Sequence, residues 1–214
     1  MKHLILTILF PPKCVLCGKL LKKGETDLCG HCRTEAPLFP NRKRKLQFLD
    51  SFAAVWYYEG SIRRSLLRYK FYGKRGYASA YGRLLAMEIL KEHPDGFDIL
   101  TYIPISRLRR LRRGYDQVEL IARAAARELG TEAIPTLRKI RSNPPQARIN
   151  GQAERRANVL GVYALREDGD VAGKKVVLVD DILTTGATMG EAARMLLTAG
   201  AKEVHGVSVA AVRK

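Results

Sequence analysis

No stretch of this 214-residue chain reaches the roughly 18 consecutive apolar residues that a membrane-crossing helix needs, although 46% of its residues are hydrophobic. The first residues, MKHLILTILFPPKC, hold only a short apolar run ended by Pro11 and Pro12. They carry no small-residue cleavage site and run directly into a cysteine cluster, so they are expected to remain in the mature protein. Acid is scarce: 21 Asp and Glu stand against 38 Lys and Arg, a formal net charge of +17. That excess favours acidic partners, with nucleic acid, phosphorylated metabolites and anionic membrane as the candidates, and by itself sets no sequence specificity. No P-loop is present; the nearest stretch, GDVAGKK at 169–175, has the wrong spacing and no Ser or Thr after the lysine. Internal repeats and low-complexity tracts are also missing.

Cysteine is confined to the first 32 residues, as Cys14-x-x-Cys17 and Cys29-x-x-Cys32. Each C-x-x-C turn can direct two thiolates at one metal, and two turns complete a tetrahedral zinc site across a short spacer. Two disulfides or free thiols are the alternative, but disulfide staples suit exported chains and nothing here indicates export. His31, beside Cys32, could replace a thiolate, although four cysteines suffice. A site with four protein ligands has no open position, which points to structural rather than catalytic zinc. With every cysteine in this module and none at the N-terminus, the chain offers no evident glutaminase nucleophile.

The body of the chain alternates strands and helices. FAAVWYY (52–58), DILTYIPI (98–105), a segment near 133–138, VLGVYAL, VVLV (176–179) and EVHGVSVAAV (203–212) read as strands. Residues 61–72, 79–92 and 117–129 read as helices, the first with Ile62, Leu66 and Tyr69 on one face. Asp116 is a candidate N-cap with Glu119 at the capping-box position. This order predicts an α/β domain with a largely parallel sheet. The division expected is a zinc module over 1–40, a basic linker and first strand over 41–60, and the main domain over 61–214.

The most informative segment is VVLVDDILTTGAT, 176–188. A β-branched apolar run suits a parallel strand covered on both faces, and ligands of such sheets bind at the carboxyl ends of the strands. Asp180 and Asp181 stand at that end. Adjacent carboxylates repel and accept hydrogen bonds only, so their partner is expected to be rich in donors or to be a hydrated cation: sugar hydroxyls or Mg²⁺. The small turn Thr184, Thr185, Gly186, Ala187, Thr188 lets backbone N–H groups approach an anion, and Thr188 with Glu191 reads as the capping box of a helix from about Met189. Acids for hydroxyls beside a cradle for phosphate describe a ribose 5-phosphate pocket. Arg107, Arg109, Arg110, Arg112 and Arg113 follow the strand that ends at Pro104; if that strand neighbours VVLVDD, Arg109, Arg112 and Arg113 are candidates for pyrophosphate, and otherwise they are a solvated or nucleic-acid-binding face.

Residues 176–188 resemble the phosphoribosyl-pyrophosphate loop of type I phosphoribosyltransferases: four hydrophobics, two acids and a Thr/Gly turn. The resemblance widens with IPISRLRRLRRGYDQ (103–117), PPQARINGQAERRANVLGVY (144–163), LLRYKFYGK (66–74) and the paired C-x-x-C, which together resemble the ComF, late-competence or GntX-like, family over essentially the whole chain. It implies that Asp180 and Asp181 take the ribose hydroxyls and Thr184–Thr188 the 5-phosphate, with Mg²⁺ accompanying the ligand. Gln146, Arg148, Arg155 and Asn158 match the second signature, where phosphoribosyltransferases carry a hood over the site. Asp116 departs from the family's Asn.

Three roles follow from this resemblance. The first is a cytoplasmic competence accessory protein, open to a peripheral place at the inner face of the membrane. It would aid DNA uptake, bind single-stranded DNA and work beside a competence helicase. The others are an active phosphoribosyltransferase whose acceptor site is unreadable, and a non-catalytic sugar-phosphate sensor. For DNA, the expected surface is the arm Arg42, Lys43, Arg44, Lys45 with Arg63, Arg64, Arg68 and Lys70, where Tyr69, Phe71 and Tyr72 could stack bases.

Overall fold

The computed structural model describes residues 11–40, 45–141 and 159–213. In chain order the elements are α1 (Gly30–Glu35), β1 (Ser51–Tyr57), α2 (Gly60–Phe71), α3 (Tyr77–Glu92), β2 (Ile99–Tyr102), α4 (Arg107–Arg113), α5 (Gln117–Glu128), β3 (Leu137–Lys139), β4 (Tyr163–Leu165), β5 (Lys175–Leu183), α6 (Ala187–Thr198) and β6 (Glu203–Ala211). The strands β1-β6-β5-β2 form a sheet in which every neighbour pair is parallel, and β3 with β4 makes a separate antiparallel ribbon.

The apolar run of β5 sits in the middle of the sheet, and its alternation divides the core. Val177 and Val179 join the cluster with α2, α3 and α5, while Val176 and Leu178 join α6 and the β3–β4 ribbon. The layers are therefore helices, sheet and helix. The α3–α5 contact is close enough to demand a glycine: a Cβ at Gly82 would overlap that of Ala124 and lie 2.7 Å from the Ala125 nitrogen.

The N-terminal module docks on α2 and α3. Val15, Leu16 and Leu28 join the main core. Asp27 accepts two bonds from the Arg83 guanidinium, at 2.8 Å to Nε and 2.5 Å to Nη2, a bidentate geometry suited to fixing orientation.

Local structure differs from the sequence expectation in three places. The helix after β5 begins at Ala187, capped by Gly186 in the left-handed region at φ 89° with no side-chain cap bond, so Thr188 lies in its first turn and is not the N-cap. Glu191 instead accepts from the Gly161 N–H at 2.8 Å and pairs with Arg194, which explains why no capping box forms. The arginine run forms a short helix, α4, started by Ser106, whose hydroxyl accepts from the Arg109 N–H. Tyr69 is fully buried, with its hydroxyl donating to the Gln117 carbonyl at 2.7 Å, and cannot stack bases. As expected, Asp116 caps α5, accepting from the Val118 and Glu119 N–H groups, and it also binds Ile105 N–H at 2.9 Å. Burial pushes its carboxyl up despite these bonds. Among the described residues no helix is long and apolar enough to cross a membrane.

Candidate functional site

The two acids of β5 are neighbours in sequence but face opposite layers, because successive strand residues alternate. Asp181 is on the side of Val177 and Val179. It is buried, and Lys70 Nζ at the end of α2 lies 2.9 Å from its Oδ2. Asp180, on the other side, accepts from the Asp181 N–H at 2.8 Å. Burial and the charge of Asp181 push the Asp180 carboxyl well above the usual carboxylate range. Its electrostatic neighbours are Lys139 and Tyr163 of the β3–β4 ribbon. Burial and the nearby Arg109 lower Lys139 to about 8, and the ammonium lies 5.6 Å from the centre of the Tyr163 ring. One acid thus lies against an ammonium while burial pushes the other toward its neutral form, a division that suits two acceptors serving different parts of one ligand.

After Leu183 the chain turns through Thr184–Gly186 into the 12-residue α6. This puts the first N–H groups of a helix, and the positive end of its dipole, next to the acids. Gly186 is favoured by its positive φ, and a Cβ there would push aside the end of the Leu46 side chain, 2.8 Å away at Cδ2. Leu46, Gln47 and Phe48 pack over the outside of the turn, closing a cavity of about 240 Å³ with Thr185, Ala187 and Gly190.

The strand condition on the arginines is met. β2 is the parallel neighbour of β5, with Tyr102 opposite Val179, so α4 emerges beside the acid pair. Arg109, Arg112 and Arg113 line a cavity of about 400 Å³ with Lys70, Phe71, Gly73 and Tyr115. The Arg113 guanidinium lies 5.0 Å from the centre of the Phe71 ring, and burial lowers its pKa against the opposing pull of Asp181. A cluster of guanidinium forks and one ammonium at the edge of a carboxylate pair is suited to a ligand that carries phosphate and hydroxyls together.

The residues expected to form a DNA face divide in the structure. Arg63 and Arg64 are exposed on α2, and Lys45 is exposed near the Gly186 turn. Arg68 turns inward and donates to the Leu16 carbonyl at 2.5 Å, and Lys70 belongs to the acid pair. Phe71 and Tyr72 are 62% and 72% exposed, which leaves flat apolar faces next to the arginine cavity. Arg42, Lys43 and Arg44, like Gln146, Arg148, Arg155 and Asn158, lie outside the described residues.

At the N-terminus the Sγ atoms of Cys14, Cys17, Cys29 and Cys32 lie within 4.8 Å of one another, and those of Cys17 and Cys29 are 3.7 Å apart. A tetrahedral zinc with bonds of about 2.3 Å places its sulfurs about 3.8 Å apart, so the four thiols fit the ion. His31 is exposed and outside this cluster.

Sequence reasoning missed the place of Lys70 and the presence of Lys139. Lys70 carried a signal, since it follows the inward Leu66 by one helical turn. Lys139 ends a three-residue strand in a basic context and carried none.

Comparison with known proteins gives two family matches: the phosphoribosyl transferase domain over residues 119–214 and the double zinc ribbon domain over residues 5–43. The chain is similar to competence protein ComFC of Bacillus subtilis (strain 168), with 26% identity over 192 residues covering 87% of this chain and 72% of the relative. It is also similar to the DNA utilization protein YhgH of Salmonella typhi, with 28% identity over 198 residues covering 90% of this chain and 81% of that one. Among solved structures, the glutamine phosphoribosylpyrophosphate amidotransferase of B. subtilis matches 67% of this chain at 25% identity and a TM-score of 0.44; the chain covers only 30% of that protein's length. The fold is that of a type I phosphoribosyltransferase, a largely parallel sheet with flanking helices, behind a four-cysteine zinc module.

Proposed function

We propose that this chain, which carries a match to the phosphoribosyl transferase domain and is similar to ComFC and YhgH proteins, is a ComF-type protein that acts in competence-type DNA handling. In this reading it binds phosphoribosyl pyrophosphate, or a related ribose 5-phosphate compound, with Mg²⁺ and also binds single-stranded DNA. The observation that carries the pocket is the junction of β5 with β2, which sets the acid pair beside a cavity lined by three arginines and Lys70. Asp180 and Asp181 accept from the sugar hydroxyls or from water on Mg²⁺. The Thr184–Thr188 turn receives the 5-phosphate on its backbone N–H groups, and Arg109, Arg112 and Arg113 hold the pyrophosphate. Zinc, held by Cys14, Cys17, Cys29 and Cys32, stabilises the N-terminal module.

For DNA, support comes from the net charge of +17, from exposed Arg63, Arg64 and Lys45, and from the open rings of Phe71 and Tyr72. The strand is held through its phosphates, with bases stacking on the two rings. Because Arg113 adjoins Phe71, DNA and sugar phosphate share a border, which suits a protein that responds to both.

A pair of titrations on one preparation tests the reading. Phosphoribosyl pyrophosphate with Mg²⁺ is expected to bind and to raise the melting temperature. Single-stranded DNA is expected to bind with an affinity that falls by roughly 0.7 log units per log unit of salt for each phosphate neutralised. Neutralising Arg42, Lys43, Arg44 and Lys45 together should reduce DNA affinity and the salt slope while sparing the sugar phosphate. Absence of the first binding removes the pocket reading; absence of the second near physiological salt removes the DNA reading.

A further inference from the structure

We propose that the cysteine knuckle and the acid pair are coupled through α2, with Lys70 as a positioning residue whose place at Asp181 depends on the knuckle being metal-loaded. Val15 and Leu16 are the two residues between Cys14 and Cys17, so their backbone is the knuckle itself. Their carbonyls are held by α2: Arg68 Nη2 donates to Leu16 O at 2.5 Å and to Val15 O at 3.4 Å, and Ser65 Oγ donates to Val15 O. Lys70, two residues beyond Arg68, makes the 2.9 Å contact with Asp181. Between them, Tyr69 is fixed at both ends, its hydroxyl on Gln117 O at 2.7 Å and its carbonyl accepting from Tyr115 at 2.6 Å. A single turn of helix therefore carries the knuckle contact, a buried anchor and the acid-pair contact.

The energetics make this turn sensitive to the knuckle. The Arg68 guanidinium faces the Tyr77 ring 6.0 Å away and its buried Nε has no hydrogen-bond partner, while its hydrogen bonds go to the two knuckle carbonyls. Displacing them leaves a part-buried cation with unmet donors, which is costly enough to drive the side chain outward and shift the last turn of α2. Four thiolates around one ion hold residues 14–17 in the conformation that presents those carbonyls, and metal binding at such a site is folding energy. Loss of the ion thus frees Lys70 from Asp181 and leaves the acid pair without its counter-charge. Coupling is reciprocal in binding free energy, so a ligand that orders the acid pair tightens the equilibrium hold on the ion.

The test uses the full chain and lysine acylation read residue by residue by mass spectrometry. In the zinc-loaded protein Lys70, ion-paired and 19% exposed, should react several-fold more slowly than exposed Lys74. Stripping zinc should raise the Lys70 rate several-fold while Lys174, far from α2, changes less than twofold. Arg68→Met with zinc bound should reproduce the rise, which keeps the test valid if the stripped protein unfolds and Lys174 rises too. Ribose 5-phosphate, used because pyrophosphate itself chelates zinc, should reduce the share of zinc that a chromogenic chelator takes at equilibrium from the parent and not from Arg68→Met. Lys70 labelling that is unchanged in Arg68→Met overturns the coupling. This last arm alone rests on the proposed pocket: if calorimetry detects no ribose 5-phosphate or phosphoribosyl pyrophosphate binding, the pocket reading fails, while the labelling arms still decide the coupling.

Discussion

The cysteine knuckle and the acid pair each crowd like groups that repel one another, and they resolve the crowding in opposite ways. The knuckle gathers four thiols within 4.8 Å, a donor set that one tetrahedral ion satisfies completely. The acid pair sends Asp181 to an internal ammonium and leaves Asp180 in a partly buried place that disfavours its charge. A closed site fixes structure. A site with an unsettled charge at the end of a parallel strand is poised for a ligand that brings donors or a cation, which is where catalytic and binding sites concentrate perturbed carboxyls.

The largest way to break this contrast is at the knuckle. Cys14→Ser should abolish stoichiometric zinc and lower the melting temperature by several degrees, measured by metal analysis and calorimetry, because Cys14 is buried and its ion carries folding energy. Disulfides in place of metal, in protein purified under reducing conditions, would contradict the closed thiolate site.

Next is the Gly186 turn, the proposed cradle for phosphate. Gly186→Val places a branched side chain at φ 89° and against Leu46, so sugar-phosphate affinity should fall at least tenfold and stability by about 1–3 kcal/mol. Ligand titration and denaturant unfolding read the two effects separately.

The acid pair itself sharpens the comparison, because its members should respond differently. Asp181→Asn leaves Lys70 without its partner and should lower both stability and ligand affinity. Asp180→Asn should lower affinity yet stabilise the unliganded protein at neutral pH. The sign follows from linkage: a carboxyl whose folded pKa is raised binds more protons folded than unfolded, so its contribution declines as pH rises from about 4 toward neutrality. Parent stability minus that of Asp180→Asn should therefore fall across this window, and a difference that is flat with pH would show that Asp180 is not perturbed.

Legibility in the sequence followed chemistry more closely than it followed contacts. The β5 strand, its acids, the Thr/Gly turn and the four cysteines were readable because each needs a particular residue type at a particular spacing. Asp116 was readable as a cap for the same reason. The apolar stripe of Ile62, Leu66 and Tyr69 was readable too, but the turn of Arg68 onto the knuckle was not, because α2 is gripped on two sides, by the knuckle and by the sheet layer, and a single amphipathic stripe shows only one of them. The helix through Arg107–Arg113 was missed because it buries no residue and so has no apolar face to reveal it; its cues were the caps, Ser106 and the left-handed Gly114. Thr188 was misplaced as a cap because a left-handed glycine starts α6 and the hydroxyl that accepts from its first N–H is that of Thr185.

One proposed pocket joins the acid pair and turn, assigned to ribose 5-phosphate, to the arginines, assigned to pyrophosphate. Calorimetric titration of ribose 5-phosphate and of phosphoribosyl pyrophosphate, both with Mg²⁺, into the parent and into Arg112→Gln/Arg113→Gln tests it most directly. The parent should bind the pyrophosphate compound at least tenfold more tightly, as expected for about 1.5–3 kcal/mol from charge-assisted bonds. The double variant should keep its affinity for ribose 5-phosphate and lose most of that difference. A difference that survives in the variant, or loss of both ligands together, would contradict the assignment of the arginines to pyrophosphate.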